Sequence, residues 1–93
     1  MHAKVGTATI VPGKTDELVE ALRGVVIPAY EGLPGFSGAL ALVEPEGGKA
    51  MMITLWDSPE SLRASEQHTG HRAVLEGLRR PTELAFYEVV HRI

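Results

Sequence analysis

One stretch gathers most of the residue types that could do chemistry. In MMITLWDSPESLRASEQHTGH (51–71) stand the only tryptophan, Trp56, and two of the four histidines, His68 and His71. Imidazole titrates near neutrality, so His68 is a candidate general acid or base. Trp56 offers a flat apolar wall to a small molecule; equally, it reads as a plug at a strand end with its indole N–H bonded to a carbonyl. His68 and His71 are three apart, the spacing of an HxxH pair. Two such ligands without a third histidine or a carboxylate make a poor zinc site, so no metal is expected. Tyr30, Tyr87 and His91 are the other polar aromatics that could enter a cavity. Tyr87 and His91, four apart, would share one face of a strand. There is no cysteine, which removes thiol catalysis and thiolate metal sites. No GxGxxG, P-loop or HExxH stands in the chain, and no cofactor is expected.

These residues need a scaffold, and hydrophobic periodicity supplies one. AKVGTATIV (3–11) reads as a strand, ended by PGK. Thr15 is placed to cap a helix, with Asp16 and Glu17 in a first turn where the dipole favours anions. Leu18, Leu22, Val25 and Ala29 share one face, widened by Val19, Val26 and Tyr30. Pro28 cannot donate to Gly24, so a kink or an early end is expected there. FSGALALV (36–43) and KAMMITLW (49–56) are two strands joined through EPEGG, a hairpin loop. Ser58-Pro59-Glu60 is an N-cap followed by proline at the first helical position, opening a helix to about Ser65. Thr69 can cap a further piece in which His71, Val74, Leu75 and Leu78 share a face, and Pro81 ends it. ELAFYEVVHRI (83–93) is the last strand. The order βαββαβ gives an α+β, ferredoxin-like fold with both helices on one face of a four-stranded antiparallel sheet.

Ninety-three residues with a net charge of −3 make one domain over 1–93, and no cluster of Lys and Arg suits a nucleic acid. No apolar run reaches the roughly 20 residues that span a bilayer. The start MHAKVGTA has no signal-peptide core, so the expectation is no membrane and a cytoplasmic location. The strands carry a further message. Phe36, Leu40 and Leu42 alternate with Ala39, Ala41 and Val43; Met51, Ile53 and Leu55 alternate with Ala50, Met52, Thr54 and Trp56. Ala8 and Ile10 likewise oppose Val5 and Val11. Both faces are apolar, and helices cover only one. A second copy of the same sheet is the simplest cover for the other, which predicts a homodimer.

VPGKTDEL, LPGFSGALAL and ITLWDSPESLRASEQHTGH together resemble the antibiotic biosynthesis monooxygenase-like domains, over about residues 3–91. The resemblance implies pairing of two chains into a dimeric α+β barrel. Its members include oxygenases that act on phenols or quinols without a cofactor, haem-degrading enzymes, and proteins of no assigned activity. At the positions of the haem branch's asparagine, second tryptophan and ligating histidine this chain has Gly6, Glu66 and Glu76, which speaks against haem. At the positions of the asparagine and tyrosine beside the strand-end tryptophan of the polyketide-oxidising branch it has Met52 and Leu62.

Cofactor-free oxygenation needs an apolar pocket, a base near an acidic hydroxyl and a donor for the developing anion. The expectation is a homodimeric monooxygenase acting with O₂ on a small apolar or aromatic, quinol-like molecule. His68 and Tyr30 would handle protons, and Trp56, Met52, Leu62, His71 and Tyr87 would line the pocket. The alternatives are a non-catalytic dimer that binds small molecules or serves a stress response, and an isomerase or lyase needing only an acid–base pair.

Overall fold

The computed structural model of the chain describes residues 1–68 and 70–93; Thr69, expected as a cap, lies outside the described residues. Its sheet contains β1 (His2–Ile10), β2 (Phe36–Val43), β3 (Lys49–Trp56) and β4 (Arg79–Glu88) in the order β2-β3-β1-β4. Every neighbouring pair is antiparallel. The first strand is therefore central, and residues alternating along it meet β3 and β4 on both sides. His2 stands opposite Trp56, Lys4 opposite Thr54 and Gly6 opposite Met52.

Four residues in even steps, Leu18, Leu22, Val26 and Tyr30, are buried and press the first helical segment onto the sheet. An α-helix turns about 100° per residue, so four-residue steps would drift by about 40° each. The drift is corrected inside the segment. Between α1 (Thr15–Ala21) and α2 (Ile27–Glu31) lies one π-helical turn, Leu22–Val26, where the Ile27 N–H reaches back to the Leu22 carbonyl. That wider turn moves Val26 and Tyr30 under the helix, leaving Val25 and Ala29 of the expected stripe exposed. It also accommodates Pro28, which sits in the first turn of α2 where no intrahelical donor is required. The helix continues through the proline instead of ending at it. At its start, Thr15 is the first helical residue, and the cap position falls on Lys14, with no side-chain cap.

Ser58 does cap α3 (Pro59–Ser65): the Ser61 N–H donates to its Oγ over 3.1 Å. Gly35 has φ +79°, and a Cβ there would collide with Ser61 and Asp57, so only glycine allows this turn to pack against the start of α3. The following piece, Gly70–Leu75, is a 3₁₀ turn. β4 begins at Arg79, four residues before the expected start at 83, and ends at Glu88. Pro81 does not end the preceding helix. It sits inside β4 beside Ala8, at a break in register between Thr7 and Ala8, where an edge strand tolerates a missing donor. His91 lies past the strand, so strand spacing no longer ties it to the face of Tyr87.

A second irregularity corrects the expected faces of β2. The register shifts between Phe36 and Gly38, which places Phe36 opposite Trp56 on the helix side, apart from Leu40 and Leu42. Its ring meets the indole edge-on at 5.6 Å. The outer face keeps Leu40, Leu42 and Tyr87, which are 53, 46 and 55 % exposed.

Candidate functional site

The chemistry gathers where β1 and β3 pass under α2 and α3. Lys4 alternates with Gly6, Ala8 and Ile10 on the helix-facing side of β1, and only 4 % of it is exposed. A lone buried ammonium is costly, so it must be hydrogen-bonded and paired. Lys4 Nζ donates to Tyr30 Oη at 3.2 Å and to Ser65 Oγ at 3.4 Å, and lies 3.1 Å from Glu66 Oε1. The Ser65 hydroxyl in turn donates a hydrogen bond to the Leu62 carbonyl. Glu66 also faces Arg72 through its other oxygen, at 3.6 Å. One carboxylate is thus shared by two cations.

Tyr30 is 1 % exposed and joins this cluster to the aromatic core. Its ring meets Trp56 edge-on at 5.9 Å and His71 at 4.7 Å. The Trp56 indole is wholly buried and donates to Thr54 Oγ1 at 2.9 Å, so its polar atom is committed within the core. Tyr30 Oη accepts from Lys4, and among the described residues its own proton has no acceptor. His71 Nε2 is buried and has no hydrogen-bond partner among them either. Burial first, then the charges of Arg72, Lys4 and His68, hold the His71 imidazole below the usual 6.5, which favours its neutral form.

Tyr30 and His71 both contribute to the wall of a half-open cavity of about 190 Å³ between the helices and the sheet, with the His71 Nε2 itself buried inside that wall. Leu18, Leu22, Val26, Met52 and Leu75 make it apolar; Lys4, Tyr30, His71, Arg72 and Arg79 give it polar points. A dry cavity of about 150 Å³ takes benzene, so this one suits a single aromatic ring.

The family model described as antibiotic biosynthesis monooxygenase (ABM) matches residues 1–77. The chain belongs to the antibiotic biosynthesis monooxygenase family. Among curated proteins, none matches it. Solved structures of the same fold include SnoaB, a cofactor-independent oxygenase from Streptomyces nogalater, at 16% identity and TM-score 0.78, covering 99% of this chain and 96% of that one. Rv0793 from Mycobacterium tuberculosis superimposes with TM-score 0.72 at 20% identity, over 98% of this chain and 96% of the other. A point variant of MhuD, holding two manganese protoporphyrin IX molecules per active site, matches at 25% identity and TM-score 0.76, over 100% and 98%.

Within this ABM fold the residues named from sequence divide into two groups. Tyr30, Met52 and His71 line the cavity. Trp56 does not: it stands behind Tyr30 in the core, and its influence on the cavity passes through that ring. Leu62 is buried in the core, and its accessible edge, with Tyr87, borders a separate shallow groove near His2 and Phe86. His68 is exposed at the end of α3, outside the cavity lining. Of the two histidines the cavity wall therefore includes His71, in the 3₁₀ turn, and not His68. Sequence reasoning missed Lys4, Arg72 and Arg79. For Lys4 the signal was available: it is the one formal charge on a strand face that otherwise carries His2, Gly6, Ala8 and Ile10.

Proposed function

We propose that this protein is a cofactor-independent monooxygenase that oxidises a single-ring hydroxy-aromatic, of the phenol or hydroquinone class, with O₂. The observation that carries the reading is Tyr30 and a neutral His71, their rings 4.7 Å apart in the wall of a one-ring apolar cavity, with no partner for His71 Nε2 among the described residues. His71 Nε2 takes the proton of the substrate hydroxyl. The oxyanion that forms receives a hydrogen bond from Tyr30, whose O–H is polarised by the Lys4 ammonium behind it. The electron-rich ring then reduces O₂ and forms a C–O bond as a ring peroxide. Cleavage of the O–O bond leaves one oxygen on the ring, and the other departs as water with two substrate hydrogens. For hydroquinone the products are hydroxybenzoquinone and water, so O₂ is the only oxidant the reaction takes.

The similarity to SnoaB supports this reaction class. A porphyrin of the kind held by MhuD does not suit the site, because four pyrrole rings far exceed a cavity sized for one ring. No step is routed through such a group. The reading also includes a homodimer through the outer sheet face, supported by the exposed Leu40, Leu42 and Tyr87. No helix among the described residues is long and apolar enough to cross a membrane.

The test is oxygen uptake with hydroquinones and with fused-ring anthrones. Uptake on single-ring substrates that falls about 100-fold in His71→Ala, within the range for loss of an acid–base group, and less on fused rings supports the reading. Background uptake with every substrate overturns it and leaves a non-catalytic small-molecule binder as the function of the same cavity.

A further inference from the structure

We infer that the ligand of this cavity is an anion, a hydroxy-aromatic ring bearing a carboxylate that Arg79 and Arg72 hold while its hydroxyl reaches Tyr30 and His71. The ring and the hydroxyl rest on the functional reading above; the carboxylate does not. The chain carries a net charge of −3, yet the cavity lining holds three cations, Lys4, Arg72 and Arg79, against one carboxylate, Glu83. A positive cavity in an acidic protein concentrates anions and disfavours cations.

The cations differ in how well they are matched. Lys4 and Arg72 divide Glu66 between them, at 3.1 and 3.6 Å. Arg79 makes no ion pair with any carboxylate among the described residues. Burial and the neighbouring Arg72 charge together hold its guanidinium below the ordinary value, which marks two like charges set close in a partly dry place. A carboxylate between them would relieve that repulsion, and the planar guanidinium fork matches its two oxygens.

The charges are also spread along the cavity, not bunched. Lys4 stands on β1 opposite Thr54, whereas Arg79 stands opposite Ile10, six residues further along the same strand, or about 20 Å of backbone at about 3.3 Å per residue. Long side chains from both ends line one cavity. A ligand anchored at both ends therefore needs two polar points, one for the Tyr30 and His71 end and one for Arg79, with Arg72 tied toward the Lys4 end through Glu66. A hydroxyl and a carboxylate on one ring supply them.

Binding, measured without oxygen, tests this. The probes are a hydroquinone carboxylate and its methyl ester, read by calorimetry and by the fluorescence of the single tryptophan next to Tyr30. Wild type should bind the acid about tenfold more tightly than the ester, the scale of one charge-assisted contact. Arg79→Gln should remove that preference and leave ester affinity unchanged, with its melting curve confirming the fold. Arg72→Gln, which lies off the sheet, should reduce the preference in the same direction. Equal affinity for acid and ester, an equal loss of both in Arg79→Gln, or no binding of either overturns the inference. A preference for the acid without oxygen uptake upholds it while removing the oxygenase reading. Turnover of neutral hydroquinone with no preference for the acid does the reverse.

Discussion

The two faces of the sheet are built from the same four strands and treat polarity in opposite ways. On the helix side, Lys4, Thr54 and Ser65 are buried among Trp56, Tyr30 and Leu18, and each polar atom is bonded or paired. On the outer side large apolar side chains are left exposed: Leu40, Leu42 and Tyr87. A covered face can hold a charge because fixed partners replace water; an open face has no such partners to offer. The comparison separates a site from an interface. Polar groups collect where the fold encloses them, and the apolar residues left outside ask for another surface.

Substitutions on the covered face should act on folding, and those on the outer face on assembly. Trp56→Ala should have the largest effect, about 3–5 kcal/mol of lost stability in denaturant unfolding, because it empties the core behind Tyr30. Lys4→Met comes next, at about 1–3 kcal/mol, because Glu66 loses its buried partner. A stability equal to wild type would mean the ammonium is no better matched than a thioether. Ser58→Ala removes the cap of α3 and should cost about 1 kcal/mol. The paired change Leu40→Asp and Leu42→Asp should leave the melting curve of the monomer within about 0.5 kcal/mol, as surface changes do. It should turn a sedimenting dimer into a monomer; a wild-type chain that sediments at its monomer mass breaks the comparison outright.

The smallest expected effect is a pH dependence. The His71 pKa is lower in the folded chain than the 6.5 of an unfolded histidine, so the unfolded state binds the proton more tightly. Stability from keeping this imidazole neutral is fully present above 6.5 and is lost as pH falls toward and through the folded value. Melting temperature should decline over that acid range, and His71→Phe should flatten the decline. An unchanged slope in that variant would show that other groups set it.

Much of this fold was legible beforehand. Alternation located the strands, Ser58-Pro59 marked the start of α3, and the βαββαβ order left one handed arrangement of two helices on a sheet. What was missed turns on single residues. Val26 and Tyr30 replaced Val25 and Ala29 under the helix because a π turn shifted the stripe, and ideal periodicity has no term for that turn. Pro81 looked like a stop, but at an edge-strand irregularity its missing N–H costs little. His68 looked like the base because imidazole titrates near neutrality, a property His71 shares; only the fold distinguishes them, placing His71 in the cavity wall and His68 in solvent.

The sequence by itself determined which side chains were apolar, where the chain must turn, and that the sheet had two faces to cover. These are local properties, set by side-chain type and backbone preference within a few residues. Only the tertiary structure decided that Lys4, Tyr30, Ser65, Glu66 and His71, drawn from four separate segments, gather in and behind one cavity wall, with Trp56 packed against Tyr30 in the core. Pairing of β1 with β3 and the widened turn before α2 bring them together, and no short-range pattern records a distance between segments so far apart in the chain.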